Sequence, residues 1–158
     1  DQMAKGRKDR RLLRTEAAMK TATYAVVAAE IASIVFFDGN HTAPVIRATG
    51  LCLAGAGVVV FGTAVHTMRD SWRAGIPEKD RTELITTGIF RVSRNPAFVG
   101  FDLLYIGILT AFFNWALLFF TLFAVTMLHL QILQEEKFLP TVFGSSYLAY
   151  RRKVRRYL

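Results

Sequence analysis

The sequence predicts an all-α, polytopic integral membrane protein with about four transmembrane helices and a C-terminal amphipathic helix. Three observations carry this reading. The 158 residues are 53% hydrophobic yet bear a net charge of +8, a pairing that suits a small membrane protein with charged flanks better than a soluble domain. Apolar residues gather into long segments that stay apolar on every face. The basic residues are confined to one side of those segments.

The first apolar segment covers residues 21–37, the second 44–68, the third 97–113 and the fourth 115–133. A helix rises about 1.5 Å per residue, so a bilayer core of about 30 Å needs about 20 residues. The second and fourth are long enough to span. The first and third are short and are expected to span by thinning the bilayer or by letting flanking residues reach the interface. Residues 1–20 form a basic, helical lead-in that either lies on an anionic membrane surface or extends as a solvated helix. The first segment has no small-residue cleavage site and reads as a retained anchor rather than a signal peptide. In the second segment, "GLCLAGAGVVVFG" supplies Gly50, Gly55, Gly57 and Gly62, residues suited to close helix packing in lipid. Turns are expected around Gly75, Pro77 and Gly88 in the loop from Arg69 to Asn95. Residues 134–158 form a cytoplasmic tail, with Tyr147, Tyr150 and Val154 on one helix face. The whole chain reads as one domain. Its single cysteine, Cys52, excludes an internal disulfide.

Of the 20 basic residues, all but Arg47 precede the first span, lie between the second and third, or follow the fourth. The positive-inside rule places that side in the cytoplasm, with both termini. The external connections are short, Asp38 to Ala43 and little more than Asn114, which excludes a receptor for external ligands. Neither a nucleic-acid partner nor a metal site is expected.

The stretch "SRNPAFVGF" runs from a basic loop straight into the third span. Pro96 suits the first turn of a helix, and Asn95 suits the cap before it. Spans three and four share almost no loop and must be antiparallel neighbours. Arg91, Arg94, Asn95 and Pro96 are therefore expected to converge with Gln131, Gln134, Glu135 and Glu136 at the cytoplasmic rim. Such a set suits a zwitterionic ligand with a ribose: arginine and helix-start N–H groups for a carboxylate, a glutamate for an ammonium or ribose hydroxyls. Adjacent glutamates point about 100° apart on a helix, so one is expected to face the ligand while the other caps a loop or pairs with an arginine. Four ionisable residues fall inside spans: Glu30, His66, Asp102 and His129. Such groups are costly in a membrane and face the bundle interior. Asp102 and His129 sit on facing helices at a similar level, either as a polar tie or as catalytic groups. Glu30 reads as a helix–helix hydrogen bond and His66 as solvated.

"TELITTGIFRVSRNPAFVG" followed by "LQEEKFLPTVFGSSYLAYRRKVRRYL" resembles the isoprenylcysteine carboxyl methyltransferase and phospholipid methyltransferase superfamily of integral membrane enzymes. The resemblance rests on Arg94-Asn95-Pro96-Ala97-Phe98, the pair Glu135-Glu136, and Phe143-Gly144 with Tyr147 and Tyr150. It implies S-adenosylmethionine, with S-adenosylhomocysteine as product, bound at the cytoplasmic rim by the Pro loop and the Glu pair, and a lipophilic or lipid acceptor entering from the bilayer. The cofactor-binding candidates are then Gly88, Arg91, Arg94, Asn95, Pro96, Phe98, Gly100, Gln131, Gln134, Glu135, Glu136 and Tyr147, with Asp102 and His129 as catalytic candidates. Asn95 and Phe98 stand where many members carry His and Tyr. "SWRAG" at Ser71–Gly75 resembles a bacterial branch, which implies an inner-membrane location. The rival readings are a nicotinamide-dependent membrane reductase of similar architecture and a non-enzymatic scaffold that binds anionic lipid. The Glu pair and the short loops favour the methyl donor over both.

Overall fold

The computed structural model describes residues 21, 23–36, 42–69 and 83–158. The basic lead-in, the connection through Asp38 and the loop segment with Ser71–Gly75 and Pro77 lie outside the described residues. Four helices follow in order: α1 (Thr23–Phe36), α2 (Pro44–Met68), α3 (Pro96–Ala111) and α4 (Trp115–Lys153). A 3-10 turn, Gly88–Arg91, precedes α3. Among the described residues α2 and α4 are long and apolar enough to cross a membrane, while α1 and α3 are shorter.

Local sequence sets the helix ends. Proline opens both α2 and α3 at the first turn, where its missing N–H costs no hydrogen bond. Asn114 starts α4: its side chain accepts from the Leu117 amide at 2.8 Å. The same side chain donates to the Ser33 hydroxyl at 2.9 Å, tying the α3–α4 corner to α1. Helix α4 continues past residue 133, through Pro140, to Gly144, where φ is 54° and the chain breaks before a second helical stretch that ends at Lys153. Proline removes one ladder hydrogen bond but does not end a helix held on both sides. Glycine, without a Cβ, takes the left-handed conformation that redirects the chain.

Helices α2 and α3 lie antiparallel with their backbones in contact. A Cβ at Gly57 would sit 2.6 Å from the Gly100 carbonyl oxygen, and one at Gly100 would sit 2.7 Å from the Phe61 amide nitrogen. Further along, a Cβ at Gly50 would meet the Gly107 carbonyl oxygen and the Ala111 nitrogen, each at 2.6 Å. Lipid supplies no hydrophobic drive between helices, so close packing of small residues is what holds such a pair. Gly55 and Gly62 face open space and take no part. Beside this seam, Val26 of α1, Tyr105 of α3 and Ala124 of α4 form a core with Phe101, Phe120 and Leu128. Phe61 and Phe101 pack against each other across the helices, centroids 4.7 Å apart and planes tilted by 47°.

The outer faces are apolar: Val35, Phe36, Val45, Val59, Trp115, Phe119 and Leu122 are all exposed. A continuous apolar exterior of this kind marks a surface made for lipid rather than water. Arg47 lies at the end opposite the other described basic residues, over the Phe112 ring at 4.8 Å.

The seam makes a differential prediction. Gly57→Ala and Gly100→Ala are expected to destabilise by about 1–3 kcal/mol, because the added methyl meets backbone that cannot yield. Gly55→Ala is expected to leave stability unchanged or raise it by up to about 1 kcal/mol through helix propensity. Thermal unfolding in detergent, read by circular dichroism, checks both.

Candidate active site at the loop, helix and tail junction

After α2 the chain returns at Gly88, whose φ of 58° and packing against Thr67 leave no room for a side chain. The 3-10 turn that follows buries Phe90, and the Phe90 carbonyl accepts from the Tyr150 hydroxyl at 2.7 Å. The residues beyond the Gly144 break thereby fold back onto the loop that leads into α3. There the tail pairs with the loop as a short parallel bridge, Ser93 with Arg155. The Arg94 amide donates to the Arg155 carbonyl at 3.0 Å. The Asn95 side-chain amide donates to the Arg156 carbonyl at 3.1 Å. Ser93 bridges, donating to the Arg156 carbonyl at 3.3 Å and accepting from the Asn95 amide at 3.1 Å. Asn95 precedes α3 as expected, but its side chain makes no helix-capping bond; it holds the tail instead.

Glu136 stands at the centre. Its Oε1 pairs with Arg94 Nη2 at 2.8 Å, and the two side chains are only 5% and 8% exposed. Its Oε2 accepts from Arg156 Nη2 at 2.8 Å and Nε at 3.1 Å. Burial alone would raise this carboxyl, but the Arg156 hydrogen bonds and the charges of Arg94, Arg156 and Arg151 outweigh it and hold it below the ordinary glutamate range. Glu135 points elsewhere. It accepts from the Gln131 side-chain amide at 3.0 Å, one turn back on the same helix, and burial pushes its carboxyl up against that hydrogen bond. The adjacent glutamates therefore divide, as their angular separation requires.

The other expected residues are placed as follows. Pro96 is fully buried at the start of α3, and Phe98 is half-buried one turn in. Tyr147 is buried with its ring 6.4 Å from that of Tyr150. Arg91 and Gln134 are exposed, and Gln131 is spent on Glu135. Gly100 lies in the α2–α3 seam and Gly88 against α2, so packing accounts for both glycines. Within the bundle, Asp102 and His129 sit within electrostatic reach of each other. His129 Nδ1 is hydrogen-bonded to the Tyr157 hydroxyl. His66 is exposed, as expected for a solvated residue, and Glu30 is buried with an Oε1 that meets no hydrogen-bond partner among the described residues. Arg156, Ser93 and Tyr157 escaped the sequence reading. Arg156 and Tyr157 belong to "RRKVRRYL", where a run of charge hides which side chain turns inward.

A model of the phospholipid methyltransferase family matches residues 45–146. The chain belongs to that family, and it is an integral membrane protein. None of the curated proteins matches. Among solved structures, the chain is similar to a eukaryotic intramembrane Ras methyltransferase, isoprenylcysteine carboxyl methyltransferase, determined without a monobody. The TM-score is 0.70 at 23% identity, over 87% of this chain and 50% of that one. That likeness is one of fold, and the chain spans half the length of the structure it matches.

The Glu136 arrangement fixes a pH response. A carboxyl held below its unfolded value of 4.5 contributes stability that is complete above that value and is lost as pH falls through the folded one. Glu135, shifted the other way, gains rather than loses on acidification. Melting temperature is therefore expected to fall on acidification below about pH 4.5, and Glu136→Gln is expected to remove that slope. At neutral pH the same substitution is expected to cost about 3 kcal/mol, because it leaves Arg94 buried without a counter-charge.

Proposed function

We propose that the chain transfers a methyl group from S-adenosylmethionine to a lipophilic acceptor, at the membrane rim where the Pro loop, α4 and the tail meet. The observation that carries this reading is a buried, charged cradle with polar groups to spare. Arg94 Nε and the Tyr147 hydroxyl are buried there without hydrogen-bond partners among the described residues. An unsatisfied buried polar group costs about 1–3 kcal/mol, a cost that a bound ligand removes. The donor set fits the cofactor. The Arg94 guanidinium and the N–H groups at the start of α3 suit its carboxylate, Glu136 suits its ammonium or ribose hydroxyls, and Tyr147 lies beside them.

When bound, S-adenosylmethionine supplies a sulfonium methyl that is already activated, so the protein has mainly to align and desolvate. Asn95, Pro96 and Phe98 hold the loop against the cradle and shape its apolar side. The acceptor slides between helices with its reactive head at the rim and its apolar part among the lipid-facing helix surfaces. An amine or hydroxyl acceptor has to give up a proton, and in this reading Asp102 and His129 take it. The rim faces the cytoplasm, following the charge asymmetry.

S-adenosylhomocysteine is expected to raise the melting temperature of the purified protein by mass action. Arg94→Ala is expected to weaken its binding by about 1.5–3 kcal/mol, and Glu136→Gln to weaken it far more than Glu135→Gln. Equal and negligible losses from both glutamates would refute the cradle. Methyl transfer from labelled donor into a total membrane lipid extract tests the activity itself. An exported reporter fused to either terminus is expected to stay silent, and a periplasmic signal would reverse the orientation.

A further inference from the structure

Tyr157 occupies a position that rim closure alone does not explain. Its hydroxyl bonds His129 Nδ1, and the two rings stack with centroids 6.0 Å apart and planes 24° apart. Asp102, on α3, acts electrostatically on both His129 and Tyr157. Its Oδ1 is buried without a hydrogen-bond partner among the described residues. Three elements thus each bring one group to a common neighbourhood: α3 brings the carboxylate, α4 the imidazole and the tail the phenol, the last two in direct contact. Residue 157 lies beyond the stretch that the family model matches.

The chemistry of imidazole gives the arrangement its meaning. A free neutral histidine exchanges its proton between two ring nitrogens, and its ring turns about the side-chain bond. A partner on Nδ1 stops both motions and defines what Nε2 presents. Burial and the Asp102 charge push the Tyr157 hydroxyl up, so the phenol stays neutral beside the ring. The neighbouring Arg156 is fastened to Glu136 and, through its backbone, to Asn95. Tyr157 therefore reaches His129 only when the tail is docked on the cradle.

We propose that Tyr157 is a positioning residue for His129, and that docking of the tail sets the imidazole for proton acceptance. Nδ1–H donates to the phenolic oxygen, and Nε2 keeps its lone pair. An amine or hydroxyl acceptor seated beside Asp102 passes its proton to Nε2, from which it leaves to solvent when the tail opens. This inference rests on the methyl-transfer reading above and deepens it: the tail couples an assembled donor cradle to a prepared base.

The test uses the full chain with Tyr157→Phe, which keeps the stacked ring and removes the hydroxyl. Nitrogen-15 spectra of labelled histidine report the tautomer, with the His129 signals assigned by their loss in His129→Gln. The parent protein is expected to show the Nδ1–H tautomer alone, and Tyr157→Phe an exchanging mixture; a parent protein fixed as Nε2–H would overturn the proposal. Methyl incorporation from labelled S-adenosylmethionine into a total membrane lipid extract is expected to fall at least about tenfold in kcat, a part of what a general base contributes. KM for the donor and the melting shift with S-adenosylhomocysteine are expected to hold. In a His129→Gln background the tyrosine change is expected to add nothing. An unchanged tautomer signature, additive losses, or a lower melting temperature with full activity per folded molecule would each overturn the proposal. Absence of any melting shift with S-adenosylhomocysteine in the parent protein would instead sink the donor reading, while the spectra would still decide the role of Tyr157.

Discussion

The Glu136 carboxylate lies between the guanidinium groups of Arg94 and Arg156, one to each oxygen. Each of the three comes from a different part of the chain: the loop before α3, the middle of α4 and the tail. A buried carboxylate is costly unless it is paired, and pairing that leaves a cation uncompensated is costly in turn. Satisfying Glu136 therefore obliges the loop and the tail to meet over α4. The backbone bridge between Ser93 and Arg155, the Asn95 grip on the Arg156 carbonyl and the Tyr150 bond to Phe90 all align with that meeting. Arg94 Nε and the Tyr147 hydroxyl are left over from it, buried without hydrogen-bond partners among the described residues.

The lower half of the molecule has a different basis. Between α2 and α3 there is no charge to satisfy, only shape. Gly50 and Gly57 on one helix face Gly107 and Gly100 on the other, and backbone touches backbone. This fixes the height of α3, and with it the level at which Arg94 and Asn95 emerge. The seam and the cradle are thus linked: a helix held too far out would carry Arg94 away from Glu136. Asp102 lies on α3 at the level of the seam, between Gly100 and Gly107, and His129 lies close enough to the rim for Tyr157 to reach it.

Much of this was legible from the residues. Pro96 announced the start of α3, and the near absence of a loop at Asn114 made α3 and α4 neighbours. That hairpin logic brought Glu136 to Arg94. What escaped is what periodicity does not carry. Gly144 was read within a motif rather than as a break, since its effect lies in a positive φ that redirects the helix. The tail read as an amphipathic helix with tyrosines on one face, which it is, but that face is buried against the Gly88–Arg91 turn. Arg156 and Tyr157 were counted as charge and terminus. Their roles come from a fold-back of the chain across about 60 residues of sequence separation, bringing Arg156 to Asn95, and no local spacing encodes it. For Gly88 and Gly100 the structure supplies what the sequence left open: a glycine signals close approach, and here the approach is to Thr67 and to the α2 backbone.

The most direct test of this account is a double-mutant cycle on unfolding free energy between Glu136→Gln and Arg156→Gln, measured alongside S-adenosylhomocysteine affinity. Coupling of about 0.5–3 kcal/mol is expected for groups sharing one network, with affinity lost in step with the tail contact. Strictly additive effects, with affinity unmoved by either change, would contradict the claim that Glu136 joins the tail to the site.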